Sequence, residues 1–207
     1  VVGLWLAPGY PTDTGYLSAW WRWTKPKCVR AELTVEYADG SRTVVGTGTD
    51  WQYREETPVV RASIFHGETY DARLDDPDWC RVGGGDAGWV AARKAVVAPT
   101  VPVVRTPVPA IRLRDPLKPV SVTKVGEGRF VFDFGLNRAA VPEVRVRGAR
   151  GTKVTVRTAE EVRPDGTLAG RSNREARSTD EFILAGTGKA ESFRPRFTYH
   201  GFRYAEI

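Results

Sequence analysis

Hydrophobic and polar residues alternate with a period of two along most of this chain, in short runs broken by glycine, proline and aspartate. Such runs predict half-buried strands joined by turns. In the first half they fall at residues 2–7, 19–24, 31–37, 42–47 and 59–65. Asp39-Gly40, between the third and fourth runs, predicts a tight hairpin, because a primed turn needs positive φ at both central positions. After Asp71 the pattern is lost. Leu74-Asp-Asp-Pro-Asp-Trp79 and Gly83-Gly-Gly-Asp-Ala-Gly88 read as one long surface loop with a helical turn near Trp79.

The second half repeats the strand pattern at residues 119–125, 129–134, 141–147, 153–158, 179–184 and 192–207. Gly126-Glu-Gly128, Gly148-Ala-Arg-Gly151, Pro164-Asp-Gly166 and Gly186-Thr-Gly188 supply the turns between them. In the last run Phe197, Tyr199, Phe202 and Tyr204 alternate around Thr198, His200 and Arg203, which predicts an aromatic inner face with a bulge at Gly201. Six prolines lie between Ala98 and Pro119. Proline fixes φ and removes a ladder donor, so this stretch reads as an extended connector and marks a boundary between domains at 1–100 and 101–207. Short, regularly spaced strands on both sides predict an all-β fold of two β-sandwich domains with minor helix.

Composition agrees with this picture. Of 207 residues, 41% are hydrophobic and 11% aromatic, which argues against disorder, and 21 glycines and 14 prolines suit a turn-rich fold. The net charge of +6 raises the question of an anionic partner. In Val144-Arg-Val-Arg147 and Val154-Thr-Val-Arg157, however, the arginines alternate with valines, as on the wet face of an amphipathic strand. No nucleic-acid partner is expected. The longest apolar run falls short of the roughly 18–20 residues of a membrane span, and no basic-then-apolar leader opens the chain. The complete lack of methionine predicts an internal stretch of a longer protein and leaves its localisation open. Two cysteines, Cys28 and Cys80, are too few for a disulfide framework or a zinc site.

Three groups of residues could carry chemistry. Around Gly67, the segment Ile64 to Leu74 gathers His66, Glu68, Tyr70, Asp71 and Arg73. Paired carboxylates could serve acid–base work, but on a strand Glu68 and Tyr70 share one face and Asp71 and Arg73 the other, so an ion pair or loop clamp is the expectation. Trp21 and Trp23 share a strand face, where aromatic planes either stack on a sugar ring or fill a core. Asp71, Asp75, Asp76 and Asp78 offer oxygen ligands for calcium but lack the glycine and closing glutamate of an EF-hand loop, so no cofactor is expected. The chain carries no Gly-x-Ser-x-Gly elbow, P-loop or dinucleotide fingerprint.

Read together, Gly67-Glu-Thr-Tyr-Asp-Ala-Arg73, Trp79, Trp89, Phe132-Asp-Phe-Gly-Leu-Asn137, Val146-Arg-Gly148, Ala159-Glu-Glu161, Asp165-Gly-Thr167, Thr179-Asp180 and Pro195-Arg-Phe-Thr-Tyr-His-Gly-Phe-Arg-Tyr204 form an ordered set. This set resembles the bacterial α-L-rhamnosidases of glycoside hydrolase family 78, over roughly residues 60 to 207. The resemblance implies two accessory sandwiches of jelly-roll or concanavalin-like type, the first incomplete, that precede an (α/α)6 barrel. In that family the barrel holds the catalytic carboxylates and hydrolyses terminal α-L-rhamnosyl groups with inversion. It follows that no catalytic residue is expected in this chain and that the isolated chain should be inactive. The implied partners are a rhamnose-containing glycoside or polysaccharide and the downstream barrel. Candidate sugar contacts are Trp21, Trp23, Glu68, Tyr70, Asp71 and Arg73. His66 and Leu136 depart from the family pattern, which usually has Asp and Gln there. Two rival readings remain, a self-standing carbohydrate-binding or adhesion module and a β-fold binder of anionic polymer.

Overall fold

A computed structural model of the chain describes residues 1–8, 27–85, 87–96, 104–114 and 116–207. Its strands are β1 (Glu32–Glu36), β2 (Arg42–Gly46), β3 (Gln52–Tyr53), β4 (Val59–Ser63), β5 (Gly67–Asp71), β6 (Val90–Ala91), β7 (Ser121–Gly126) and β8 (Arg129–Ala140). They continue with β9 (Val144–Val146), β10 (Lys153–Ala159), β11 (Glu161–Val162), β12 (Leu168–Ala169), β13 (Thr179–Ile183), β14 (Glu191–Phe193) and β15 (His200–Glu206). One 3-10 turn spans Ala72–Leu74. The fold is all-β, and it divides into two compact units.

The first unit holds residues 26–56 and 78–112 with the first six residues. Its β1–β2 hairpin closes around Asp39-Gly40, but not as the expected primed turn: the Gly40 amide donates to the Tyr37 carbonyl at 2.9 Å, which makes Ala38 and Asp39 the central pair, and Asp39 does not take positive φ. Gly40 has φ +82°, and Asp39 Oδ1 accepts from the Ser41 amide at 2.9 Å and the Ser41 hydroxyl at 2.6 Å. A second ladder pairs β3 with β6, and Trp51 Nε1 donates to the Gly46 carbonyl at 3.1 Å. Residues 2–7 are expected from their alternation to form a strand. Of these, Trp5 instead packs its ring at 6.0 Å from that of Trp79, without strand structure, and the region around Trp79 is a turn rather than a helix. The run at 19–24 lies outside the described residues.

In the second unit, seven strands form one sheet in the order β4-β5-β13-β10-β15-β8-β7. Residues 57–77, which the linear reading places in the first domain, belong to this sheet through β4 and β5. The cause is non-local. β5 pairs in parallel with β13, with Thr69 opposite Glu181 and Tyr70 opposite Phe182, more than a hundred residues apart in the chain. Pairing of that kind leaves no trace in a turn signal.

Alternation assigns each strand residue to a face. On one face lie Glu68 and Tyr70 of β5, Asp180 and Phe182 of β13, Val154 and Val156 of β10, Ala205 of β15, and Phe130 and Phe132 of β8. The short β9–β14 ladder packs there, and its Val144 and Phe193 join Val156, Phe182, Leu184, Phe202 and Ala205 in the main core. Phe182 and Phe193 stack at 5.1 Å with planes 9° apart, and Phe134 meets Phe202 edge-on at 5.8 Å. On the opposite face the β11–β12 hairpin brings Leu168 onto Val131 and Ala159 in a smaller core.

The last run departs from expectation. β15 starts only at His200, after Pro195 and a bend. The inward phase is Thr198, His200 and Phe202, all buried, whereas Tyr199 is 39% exposed. The predicted aromatic inner face is therefore half polar, and the register shift lies between Phe202 and Tyr204 rather than at Gly201.

Candidate functional site

β5 sets the geometry of the motif around Gly67. Gly67 has φ +97°, and any side chain there would run into the Thr179 carbonyl, so only glycine admits the close approach of β13. From it the strand sends Glu68 and Tyr70 to the core face and Thr69 and Asp71 to the other, as alternation predicts.

Glu68 is fully buried. One carboxylate oxygen, Oε2, accepts from the Arg196 amide at 3.0 Å and the Phe197 amide at 2.9 Å, clamping the chain that leads into β15. The other, Oε1, has no hydrogen-bond partner among the described residues. Beside it, the fully buried Asp180 accepts from the Glu68 amide at 2.8 Å through Oδ1 and lies 3.0 Å from His200 Nε2 through Oδ2. Thr198 donates its hydroxyl to the Ile64 carbonyl at 3.2 Å, which ties the same segment to the β4–β5 turn. Burial pushes the Glu68 carboxyl above its ordinary value. The two amides oppose that rise, and the Asp180 charge adds to it.

Tyr70, next on the same face, lies with its ring centroid 6.1 Å from Phe182 and 6.0 Å from Phe193. It lines a half-open groove of about 330 Å³ together with Asp75, Glu191, Arg194 and Arg196. Burial, with the Asp75 charge next in weight, pushes its phenol up to about 12. It therefore stays a neutral donor. Glu191 anchors the groove wall, accepting from the amides of Ala185, Gly186 and Thr187 at 2.8, 2.9 and 3.1 Å. An aromatic ring flanked by charged and amide groups can stack on one face of a sugar and bond its hydroxyls.

Asp71 and Arg73 serve structure. Asp71 Oδ1 caps the 3-10 turn by accepting from the Arg73 amide at 3.0 Å, and the guanidinium binds both oxygens, at 2.9 and 2.7 Å. That bidentate pair holds Asp71 below the usual carboxylate range. Elsewhere on the outer face Arg129 and Arg157 both meet Glu206, at 2.9 and 3.3 Å, and Lys153 meets Glu181 at 3.0 Å. Of the arginines in the two alternating runs, Arg157 is thus matched by a carboxylate.

Of the candidate sugar contacts, the structure gathers Glu68 and Tyr70 on one face, sets Asp71 and Arg73 on the other side, and leaves Trp21 and Trp23 outside the described residues. Among the calcium candidates, Asp71 is paired with Arg73 and Asp78 with Arg81 at 2.8 Å. Among the described residues no group of three or more His, Cys, Asp or Glu is placed to hold a metal ion. Cys28 and Cys80 are free thiols. No helix among the described residues is long and apolar enough to cross a membrane. Sequence reasoning misses Asp180, His200, Glu191 and Arg196 as partners of this cluster. The signal is present in the buried polar phase of Thr198 and His200, which an aromatic reading of the last run hides.

The fold and the groove define an all-β sandwich module with a concanavalin-like larger unit. Residues 1–115 match the α-L-rhamnosidase N-terminal domain, and residues 123–207 match the bacterial α-L-rhamnosidase concanavalin-like domain. The chain belongs to the bacterial α-L-rhamnosidase family. It is 40% identical over 177 residues to an α-L-rhamnosidase of Streptomyces avermitilis, covering 86% of this chain and 17% of that protein. Over its whole length it is 30% identical to an α-L-rhamnosidase of Formosa agariphila, of which it covers 22%. The crystal structure of the S. avermitilis enzyme complexed with L-rhamnose superposes with a TM-score of 0.79. That of an α-L-rhamnosidase from Dictyoglumus thermophilum, 34% identical, gives 0.78 and covers 86% of this chain and 20% of that one. The chain thus spans about a fifth of the length of the relatives it matches.

Proposed function

We propose that this chain is the accessory, non-catalytic β-sandwich region of an α-L-rhamnosidase, acting with the rest of that polypeptide on rhamnose-containing glycosides. One observation carries the reading. Two α-L-rhamnosidase domain families match in tandem along the chain, yet the chain accounts for only 17–22% of its full-length relatives. The carboxylates first in line for acid–base work support it, since Glu68 is committed to two backbone amides and Asp71 to Arg73. General acid–base chemistry needs a carboxyl that can reach substrate. The hydrolytic step belongs to the barrel that the family resemblance implies.

Within this region Tyr70 is the residue we assign to sugar contact, with Glu68 holding the neighbouring backbone and Asp71 and Arg73 holding the turn below. The test compares the 207-residue chain with the longer polypeptide from the same reading frame. The longer form is expected to release rhamnose from an aryl α-L-rhamnoside and the shorter form to release none. Calorimetric titration of the chain with L-rhamnose, repeated on Tyr70→Ala, tests the contact. Binding that survives the substitution unchanged removes Tyr70 from the site. A frame that ends within a few codons of Ile207 overturns the accessory reading in favour of a self-standing binding module.

A further inference from the structure

The loop at 170–178 joins β12 to β13 and holds an unfavourable backbone. Among the described residues only two that are not glycine take a left-handed φ, Arg174 at +52° and Ser178 at +43°, and both lie here. Residues with a Cβ rarely adopt that conformation, and it persists where surrounding structure holds it. At one end of the loop Asn173 Nδ2 donates to the Thr158 carbonyl at 3.0 Å. At the other, the Ser178 carbonyl accepts from the Thr158 amide and hydroxyl at 3.0 and 3.2 Å, and the Ser178 amide donates to the Phe65 carbonyl at 3.2 Å. Between these anchors, among the described residues, one hydrogen bond reaches a distant part of the chain. The Arg177 amide donates to Nδ1 of the half-buried His66, in the β4–β5 turn, at 3.3 Å.

We propose that His66 is the catch of a pH-sensitive latch on this loop, closed while Nδ1 accepts from the Arg177 amide and opened when Nδ1 takes up a proton from solvent. Nδ1 accepts only with its lone pair free, so the ring proton sits on Nε2 in the closed form. A second proton turns the acceptor into a donor that faces a donor. It also adds a positive charge to a segment that already carries Arg171, Arg174 and Arg177 against Glu175 alone. None of the three arginines forms an ion pair with a described carboxylate. Lost bond and added charge act in the same direction, and the left-handed φ of Arg174 is relieved once residues 174–177 leave their place. The other charged groups on the elements packed around this turn are Glu68 of β5, Asp180 of β13, and Arg196 and His200 of the run into β15, of which Glu68, Asp180 and His200 are buried. Imidazole is the side chain that ordinarily changes charge between about pH 5 and 8, so acidity in that range decides whether the three arginines are presented in one arrangement or many.

Trypsin reads the latch at Arg174, because cleavage there requires the segment to leave its place. The 207-residue chain and its His66→Asn variant are digested side by side at about pH 8 and about pH 5.5, and the nick after Arg174 is timed by mass spectrometry. Asparagine carries an acceptor oxygen where imidazole carries Nδ1, and it does not titrate. The ratio of parent to variant therefore cancels the pH dependence of the protease and of every group other than His66. That ratio is expected near one at the higher pH and at about threefold or more at the lower, the size of effect that loss of one exposed hydrogen bond produces. His66→Ala, which has no acceptor, should be nicked about threefold or more faster than the parent already at the higher pH. A ratio that is the same at both pH values overturns the latch. So does an alanine variant nicked no faster than the parent at the higher pH.

Discussion

Glu68→Ala tests whether the buried carboxylate is a clamp. The substitution withdraws the acceptor of the Arg196 and Phe197 amides and leaves a void where a fully buried side chain stood. A hydrogen bond to a charged group contributes about 1.5–3 kcal/mol, and a buried truncation costs about 2–5 kcal/mol. Against this, Arg196 is exposed, so water can reach part of the freed backbone, and removing the carboxylate relieves its own desolvation. The net loss should be about 2–4 kcal/mol, a fall in Tm on the order of 10 °C for a unit of this size. Glu68→Gln keeps an acceptor for both amides without the charge, so at pH 7 it should be at least as stable as the parent. The pH dependence fixes the sign. A carboxyl whose folded value is raised contributes its stability fully below the unfolded value of about 4.3 and loses it as pH rises through the folded value. The advantage of Glu68→Gln should therefore grow from pH 4 upward. Urea unfolding at a series of pH values measures all three proteins. An alanine variant within about 0.5 kcal/mol of the parent, or a Gln-to-parent gap that does not change with pH, refutes the clamp.

Three further outcomes follow from the same sheet. Gly67→Ala should cost roughly 2–4 kcal/mol by chemical denaturation, because its left-handed φ of +97° and the adjacent Thr179 carbonyl both exclude a side chain. Phe182→Ala removes a ring 2% exposed that stacks on Phe193 and should cost about 3–5 kcal/mol, with Tm read by calorimetry. Arg203 binds Asp133 through both oxygens, at 2.8 and 2.7 Å, and lowers its carboxyl below the ordinary value. That contribution is present above the unfolded value of about 3.9 and is lost as pH falls. Asp133→Asn should thus be less stable than the parent at pH 7, with the gap closing below pH 4 in acid titrations followed by circular dichroism.

What is legible in the sequence is local. Asp39-Gly40 marks where the first hairpin turns, although the turn is centred on Ala38 and Asp39 with positive φ at Gly40 alone, and β7, β10 and β13 follow from alternating side chains, with bounds within two residues. Hydrophobicity used as the marker of burial misassigns the inner phase of the last strand. Thr198 and His200 go inside since each has a partner there, the Ile64 carbonyl and Asp180, and polar burial is tolerated only on that condition. Half of the candidate site is legible for the same reason. The facing of Glu68 with Tyr70 follows from period two, but the groove needs Glu191, Arg194 and Arg196 from a segment 120 or more residues away. No spacing rule reports such a meeting.

The parallel pairing of β5 with β13 bears on how this region can be cut and recombined. The two family domains meet between residues 115 and 123, yet β4 and β5 lie before that seam and complete the sheet that lies after it. A piece beginning at the seam would lose two of seven strands, expose the edge of β13, and strip the Arg196 and Phe197 amides of Glu68. The boundary at which the chain reads as two modules is thus not one at which it can be divided. Any chimera that replaces the first domain has to keep β4 and β5 matched to the Thr179-Asp180 strand beside which they pair.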